Sequence, residues 1–531
     1  MSVSPDIDFP VEELLLKMSF QGCLTLLVLE LKVNYLILKL LLTTWLDSRA
    51  TQSYVTITAH FINFDMELCS RVLQTRQLPE SHTGKHVGNV LRKAQHEWSC
   101  KVNVLTTDND ANMKIAAQTA GIPIHIGCFA HTLNLASGRA LDLKEIHHML
   151  AKMRSIVSFM HCSTTAAAIL KQKQKMLNIH ENKLIIDVRT RWNSSYLMVE
   201  RFLQQQVAIL ATLTDERIKK QIEVFCYITE ASVQASNILG QDEVQRFEEF
   251  LKLMEPLYQA TLALSAYQYP TVGLMFPLLQ KLKDLYSPLE SDSPFQTKIK
   301  NAILKDLEKR YQSEALMEYF EEASVLDPRV KDKVSQVAWD RLRDKVMNLP
   351  SNQYLHVKTE PGTYQAELPE LPALPSVSNL PAPHEIQVKE ESADSPTSTA
   401  TSAKRKRSAL SFLIDEDDDV EISKVEPPLS KEELVNKEMS LYNSDRKLSS
   451  HASPLKYWKE NASRFPFLSR LVKIYLCAQA SSVASERVFS TPGDIVTATR
   501  SCLDPEHVDQ LIFLKKNFDQ NKDMAAVLHN M

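Results

Sequence analysis

Apolar periodicity changes character once along this chain, and that change constrains the fold more than any other feature. Residues 53–62 (Ser-Tyr-Val-Thr-Ile-Thr-Ala-His-Phe-Ile) alternate, with Val55, Ile57, Ala59 and Phe61 on one face and mostly Thr and His on the other. That pattern predicts a half-buried strand. A second strand is expected near 68–76, and the segment 84–99 sets Val87, Val90, Leu91, Ala94 and Trp98 at helical spacing. The short run Val102-Asn103-Val104-Leu105-Thr106 then ends in Asp108 and leads into a helix expected to start near Asn109 or Asp110. Another apolar run at 122–126 predicts a short strand before a helix beginning near Cys128. From about 140 to 350 strand signals are scarce and amphipathic segments recur with sparse Gly, so that region reads as a helical block. Pro256, Pro270, Pro277 and Pro328 are expected to punctuate it.

At 531 residues the chain is long enough for two or three domains with sizeable cores. The formal net charge of -4 provides no global basic field, so any contact with nucleic acid must come from local patches. The 8 cysteines stand singly without a Cys-x-x-Cys pair, which suits reduced thiols better than a disulfide framework. Residues 13–46 are rich in Leu, but Lys17, Glu30, Lys32, Asn34 and Lys39 interrupt the run. No apolar stretch reaches the ~20 residues of a spanning helix, so the segment reads as buried core and no membrane partner is expected. Acidic rather than basic residues precede it, which argues against a signal peptide and for a chain that stays inside the cell.

Composition shifts again at 350. Between Pro350 and Pro428, Pro, Ser, Thr and Glu dominate with few large apolar side chains, so the stretch is expected to be a disordered linker. Order is expected to return by about 431, with a helical stretch Lys456 to Gln479 and a periodic segment from His507 to Phe518. The linker holds the basic tetrad Lys404-Arg405-Lys406-Arg407, which reads either as a nuclear import signal or as a solvated charge run. Lys358 and Lys389 sit in apolar-Lys-x-Glu sequences similar to acceptors for the modifier SUMO. Phe412-Leu413-Ile414, followed by acids 415–419, resembles a SUMO-interacting motif.

The chemistry centres on Asp108. An acidic residue at the end of a central strand projects into the crevice beyond the sheet, where two or three such carboxylates hold divalent metals for phosphoryl transfer. The competing reading is that Asp108 caps the following helix.

Several motifs in order bear on that choice. Thr107-Asp108-Asn109-Asp110-Ala111-Asn112-Met113, Cys128-Phe129-Ala130-His131-Thr132-Leu133-Asn134-Leu135 and Thr190-Arg191-Trp192-Asn193-Ser194 resemble successive signatures of hobo/Activator/Tam3 (hAT) transposases. Phe465-Pro466-Phe467-Leu468, Ala484 through Ser490, Arg500 and Leu503-Asp504-Pro505-Glu506 resemble that family's dimerisation region. The wording around Ser48 to Tyr54 is similar to the BED-zinc-finger branch. The resemblance implies an α/β ribonuclease-H-like core interrupted by a large all-α insertion and completed by C-terminal helices. On that basis residues 1–40 form an atypical apolar segment and 41–140 the first part of the core. The insertion then spans 141–349, the linker 350–430, and the C-terminal part of the core with the dimerisation region 431–531.

The family's acidic triad places carboxylates at a first-strand Asp, at Asp108 and at Glu486, with Mg2+ as the expected cofactor if the set is intact. Here the first position is displaced: the chain reads Thr43-Thr44-Trp45-Leu46-Asp47-Ser48-Arg49 where the family has Thr-Asp-x-Trp-Thr-Ser-Arg. Asp47 is a poor substitute, because metal-assisted displacement needs closely placed ligands. Zn2+ is expected only with a BED finger, whose Cys and His spacing is missing here, as in a truncated or alternatively assembled product. The grouping His125, Cys128 and His131 reads as a metal site or as structural lining of a strand-to-helix turn. The resemblance implies DNA contact at Arg191, Trp192 and His131, with the ring stacking on a base; a core Trp beside a surface Arg is the alternative. It implies a homodimer through Leu468, Leu471, Leu476, Phe489, Leu511 and Leu514, within apolar stripes that one chain can also bury against itself. Three readings follow: a nuclear DNA-associated regulator acting in transcription, a SUMO-pathway ligase or scaffold, and an active metal-dependent transposase.

Overall fold

The computed structural model describes residues 24, 27, 40–47, 53–78, 83–229, 241–264, 270–349, 429–482 and 505–518. The 350–428 stretch with its SUMO-like and basic motifs, and residues 483–504 with Glu486 and Phe489, lie outside them.

A five-stranded sheet organises the N-terminal part, in the order β3-β2-β1-β4-β5. Its strands are β1 (Leu40–Asp47), β2 (Ser53–Ile62), β3 (Leu68–Leu78), β4 (Val102–Thr107) and β5 (Ile124–Gly127). The first three pair antiparallel, whereas β1 with β4 and β4 with β5 pair parallel. Parallel neighbours need crossovers, supplied here by α1 (Gly84–Glu97) and α2 (Ala111–Thr119). These two helices bury Val87, Leu91, Met113 and Ala116 against Val55, Ile57, Ala59 and Phe61 of β2. They approach closely at Gly88, where a Cβ would stand 2.8 Å from the Ala116 carbonyl oxygen.

The expectation of a half-buried β2 is corrected. Thr56, Thr58 and His60 on its second face are also buried, because they form a hydrogen-bonded layer instead of facing water. Thr56 Oγ1 meets Thr75 Oγ1 at 3.0 Å, and His60 Nδ1 meets Ser70 Oγ at 2.8 Å. Burial lowers the His60 pKa to about 4, so the ring is neutral at pH 7. Part of the Leu-rich segment read simply as buried core is the middle strand β1, flanked by β2 and β4.

Helices dominate from residue 129 onward: α3 (Phe129–Leu141), α4 (Lys144–Cys162), α5 (Thr164–Met176), α6 (Trp192–Gln204), α7 (Gln206–Leu213) and α8 (Lys219–Thr229). They continue as α9 (Gln241–Leu264), α10 (Met275–Tyr286), α11 (Pro294–Arg310), α12 (Glu314–Val325) and α13 (Gln336–Met347). The punctuation expected near Pro256 is wrong, whereas that expected near Pro277 coincides with a helix start. Pro256 lies inside α9, and Pro277 falls in the first turn of α10, where its missing N–H would be unpaired in any case. Pro270 and Pro328 fall between helices.

The C-terminal part contributes α14 (Lys431–Ser444), α15 (Pro454–Asn461), α16 (Pro466–Tyr475) and α17 (Pro505–Phe518). The single helical stretch expected over 456–479 is two helices, broken before Pro466, which opens α16 as its first residue. This part is stitched to the block by Trp458 Nε1 donating to the Leu326 carbonyl at 2.9 Å, Tyr442 Oη to that of Val325 at 2.9 Å, and Tyr475 Oη to Glu322 Oε2 at 2.8 Å. The last helix, α17, covers the outer edge of β3. Asn517 accepts from the Val72 amide at 3.1 Å and donates to the Val72 carbonyl at 2.8 Å, while Asp509 accepts from the Thr75 amide. An edge strand is thereby satisfied by side chains.

Glu438 of α14 accepts from the backbone amides of Phe467 at 3.2 Å and Leu468 at 2.6 Å, at the start of α16. Burial outweighs these bonds and raises its pKa to about 7. A carboxyl raised on folding contributes stability that is complete below its ordinary pKa of about 4.3 and is lost as pH rises through the folded value. Urea unfolding of wild type and Glu438→Gln from pH 5 to 8 is therefore expected to diverge by up to about 3 kcal/mol, wild type losing ground as pH rises. Parallel curves would refute the assignment.

Candidate nucleic-acid interface

Asp108 stands just beyond the carboxyl end of β4, half-buried. It does not cap the next helix: Asp110 is the N-cap of α2, accepting from the Asn112 amide at 3.1 Å. Burial raises the Asp108 carboxyl above its usual range, opposed by the Asp110 amide and by the nearby His131. The surrounding loop is fixed on several sides. The Cys128 amide donates to the Thr107 carbonyl at 2.6 Å, and Asn109 Nδ2 donates to the Cys128 carbonyl at 2.9 Å and lies 3.1 Å from Thr132 Oγ1. Asn109 occupies the space over Gly127, where a Cβ would overlap its Oδ1.

The chain segment 479–482 reaches the same rim from far along the sequence. Thr106 Oγ1 donates to the Gln479 carbonyl at 2.9 Å, the Phe129 amide to that of Ala480 at 2.8 Å, and the Ser482 amide to Cys128 Sγ at 3.3 Å. Gln479 is 4% exposed, and its Nε2 has no hydrogen-bond partner. Sequence reasoning missed this residue, whose only signal is its place a few positions before Glu486.

Register locates the displaced first carboxylate. Thr43 of β1 is level with Thr106 of β4, the last pair of their register, and Asp47 is the final residue of β1, four positions farther along the chain. Among the described residues no group of three His, Cys, Asp or Glu side chains could hold a metal ion. Of the two readings of His125, Cys128 and His131, the contacts fit structural lining of the turn: His125 Nε2 lies 2.8 Å from Thr107 Oγ1, and Cys128 Sγ accepts the Ser482 amide.

A second groove, of about 240 Å3, runs along α3 and is lined by Asn134, Gly138, Arg139, Arg189, Thr190 and Trp192. A Cβ at Gly138 would meet nothing within 4 Å, so the groove is open there. Trp192 is 4% exposed and its amide donates to Asn134 Oδ1 at 3.3 Å, so its ring belongs to the core while Arg191 and Arg189 are exposed. Base stacking on that ring therefore has no open face in this conformation. The basic turn is held from beneath by Asp187, which takes a bidentate contact from Arg154 at 2.8 and 2.6 Å and a 2.6 Å bond from Ser195.

The proposed dimerisation side chains are corrected in part. Leu468, Leu471 and Leu476 are buried inside this chain at 0%, 3% and 0% exposure. Leu511 is half-buried, and Leu514 packs against the sheet's own core.

Three family descriptions match the chain: the ZBED1 RNase-like domain over 42–120, the ZBED1 RNase-like helical domain over 126–227, and the hAT family C-terminal dimerisation region over 432–518. The chain is a hAT-derived protein of the BED family. It is similar to human zinc finger BED domain-containing protein 4, at 24% identity over 89% of this chain and 37% of the relative. It is also similar to zinc finger BED domain-containing protein RICESLEEPER 2 of Oryza sativa subsp. japonica, 24% identical over 89% and 63% respectively. An AC transposase sequence of Zea mays is 22% identical over 87% of this chain and 54% of its own length. This hAT-derived chain thus spans between 37% and 63% of the length of these relatives. A looser likeness, to the Drosophila P element transposase strand transfer complex, has 14% identity and a TM-score of 0.19 over 60% of this chain and 73% of that one. None of the described helices is long and apolar enough to cross a membrane.

The packing of Asn109 over Gly127 gives a direct test of how this hAT-derived rim is built. Gly127→Ala is expected to cost about 1–3 kcal/mol by overpacking. Asn109→Ala in the same chain should return part of that loss, a coupling above about 1 kcal/mol in a urea double-mutant cycle. Strictly additive costs would mean that the two positions do not share this space.

Proposed function

We propose that this chain is a nuclear, DNA-associated regulator descended from a hAT transposase, acting in transcription, pairing with a second copy through its C-terminal region and no longer joining DNA strands. One observation carries the reading. The segment leading to Glu486 is hydrogen-bonded to β4, which ends beside Asp108, and to Cys128, which opens α3; this supports reading the rim as that of a ribonuclease-H-like core with a helical insertion. In sequence, meanwhile, the first Asp stands at Asp47 and not where the family's pattern has it. A rim whose first Asp departs from the family's pattern suits binding better than Mg2+-assisted displacement, which needs its ligands closely placed. The exposed Arg139, Arg189 and Arg191 beside the α3 groove supply the local basic patch that the net charge of -4 denies the molecule as a whole.

Self-pairing is supported by the hAT C-terminal dimerisation region. With the α16 stripe consumed internally, the exposed Leu434 (41%) and Leu441 (40%) of α14, seven positions apart on one face, are the apolar residues left there for a partner. The motifs behind the SUMO-ligase reading lie within 350–428, outside the described residues.

Two measurements test this. Fluorescence anisotropy with duplex DNA should show at least a tenfold weaker affinity for Arg189→Glu/Arg191→Glu and a salt slope shallower by about two, with no Mg2+-dependent nicking by wild type. Unaltered affinity, or cleavage, would sink the proposal. Light scattering should report twice the monomer mass for wild type and the monomer mass for Leu434→Asp/Leu441→Asp; a dimer in the variant would move the interface elsewhere.

A further inference from the structure

A cavity of about 380 Å3 opens at the outer side of β5, away from the α3 groove. β5 is the last strand of the sheet, so its outer edge has no strand neighbour among the described residues. Lys114 and Arg310 line this cavity from α2 and α11, and Asn109, Asp110, Gln118, His125, Tyr311 and Ser313 are the other polar residues of its lining. Arg310 is held in a fixed pose by Asp306, through Nε at 2.6 Å and Nη2 at 3.2 Å, which leaves Nη1 available. Lys114 is exposed. Asp110, the acidic residue of the wall, is engaged in capping α2. Ser313, the N-cap of α12, also lines the cavity and makes no side-chain capping bond.

The tautomer of His125 follows from its neighbour. The single hydroxyl proton of Thr107 is donated to the Asp108 carbonyl at 2.7 Å, so toward His125 Nε2, 2.8 Å away, Thr107 Oγ1 can only accept. Nε2 therefore carries the hydrogen. Burial and the charge of Lys114 lower the pKa of the ring to about 4, so at neutral pH Nδ1 is an unprotonated acceptor. The cavity thus presents two cations, Arg310 already paired with Asp306, beside the capping carboxylate of Asp110 and, on a ring that lines it, one neutral acceptor. A phosphate ester carrying a hydrogen-bond-donating heterocycle matches that set, and the volume lies in the ~300–1,000 Å3 range of ligand sites.

We infer that this cavity takes one nucleotide of a nucleic-acid strand, its phosphate on Lys114 and Arg310 and a base N–H on His125 Nδ1. The inference deepens the DNA-associated reading by adding a site for an unpaired nucleotide, separate from the duplex-contacting arginines beside α3. Every base offers an N–H donor, so the site is tolerant of sequence.

The test uses the full chain, a labelled mixed-sequence single-stranded 12-mer, an abasic 12-mer and AMP. Lys114→Glu should weaken the 12-mer at least tenfold and make its salt slope shallower by about one. Lys114→Arg should stay within twofold of wild type, and the abasic strand should bind several-fold more weakly than the 12-mer. A Lys114→Glu variant within twofold of wild type, or a wild type that binds neither the 12-mer nor AMP, overturns the site. AMP binding abolished by Lys114→Glu, without 12-mer binding, overturns the strand and assigns the cavity to free mononucleotides. A chain that binds the 12-mer through Lys114 yet binds no duplex would sink the regulator reading and leave the cavity standing.

Discussion

The closure of residues 479–482 onto the end of β4 and the start of α3 is the constraint on which the molecule depends. Bonds between Thr106 and Gln479, and between Cys128 and Ser482, join positions 373 and 354 residues apart. Without them the sheet would end at an open rim, and the helices between would form a separate body. With them, the amides at the start of α3 and the strand end beside Asp108 have partners that no local sequence could supply. The ordering cost of so long a loop grows only slowly with its length, which is why a large helical insertion is compatible with one continuous core.

The same economy explains where the C-terminal apolar stripes went. Trp458, Tyr442 and Phe465 form a tilted aromatic cluster, with ring centroids of Tyr442 4.9 and 5.7 Å from those of the other two. α16 spends its leucines beneath it, on the block and the sheet. A region that matches a dimerisation family therefore first completes its own subunit, and the proposed pairing draws on the remaining outer face of α14.

Much of the layered order was legible. The alternation in 53–62 and the succession of strand, acid and helix after 102 correspond to β2, β4 and α2, because an apolar face opposite a hydrogen-bonded polar one still imposes a clear period. β1 was not legible as a strand, because Leu40-Leu41-Leu42 merges into the preceding Leu-rich run and a middle strand need not alternate. The cap at Asp110 was lost behind Asp108: two acids two positions apart both fit an N-cap, and only the backbone bond to Asn112 separates them. Pro256 was taken as a stop because an interior proline costs helix stability, yet α9 runs through it on the strength of its packing. The cavity beside β5 had no sequence signal, since Lys114, His125 and Arg310 meet only through the crossover of α2 and the return of the helical block.

The clasp of α17 on β3 has a consequence for biosynthesis. Val72 and Thr75 wait for partners 445 and 434 positions downstream, which at ~5–20 residues per second leaves that strand's outer amides uncovered for about 20 to 90 s on the ribosome. A nascent chain in that condition offers a template for wrong pairing with its neighbours. Yield in cells should thus depend on translation speed and on chaperone supply more than on the strength of the finished core.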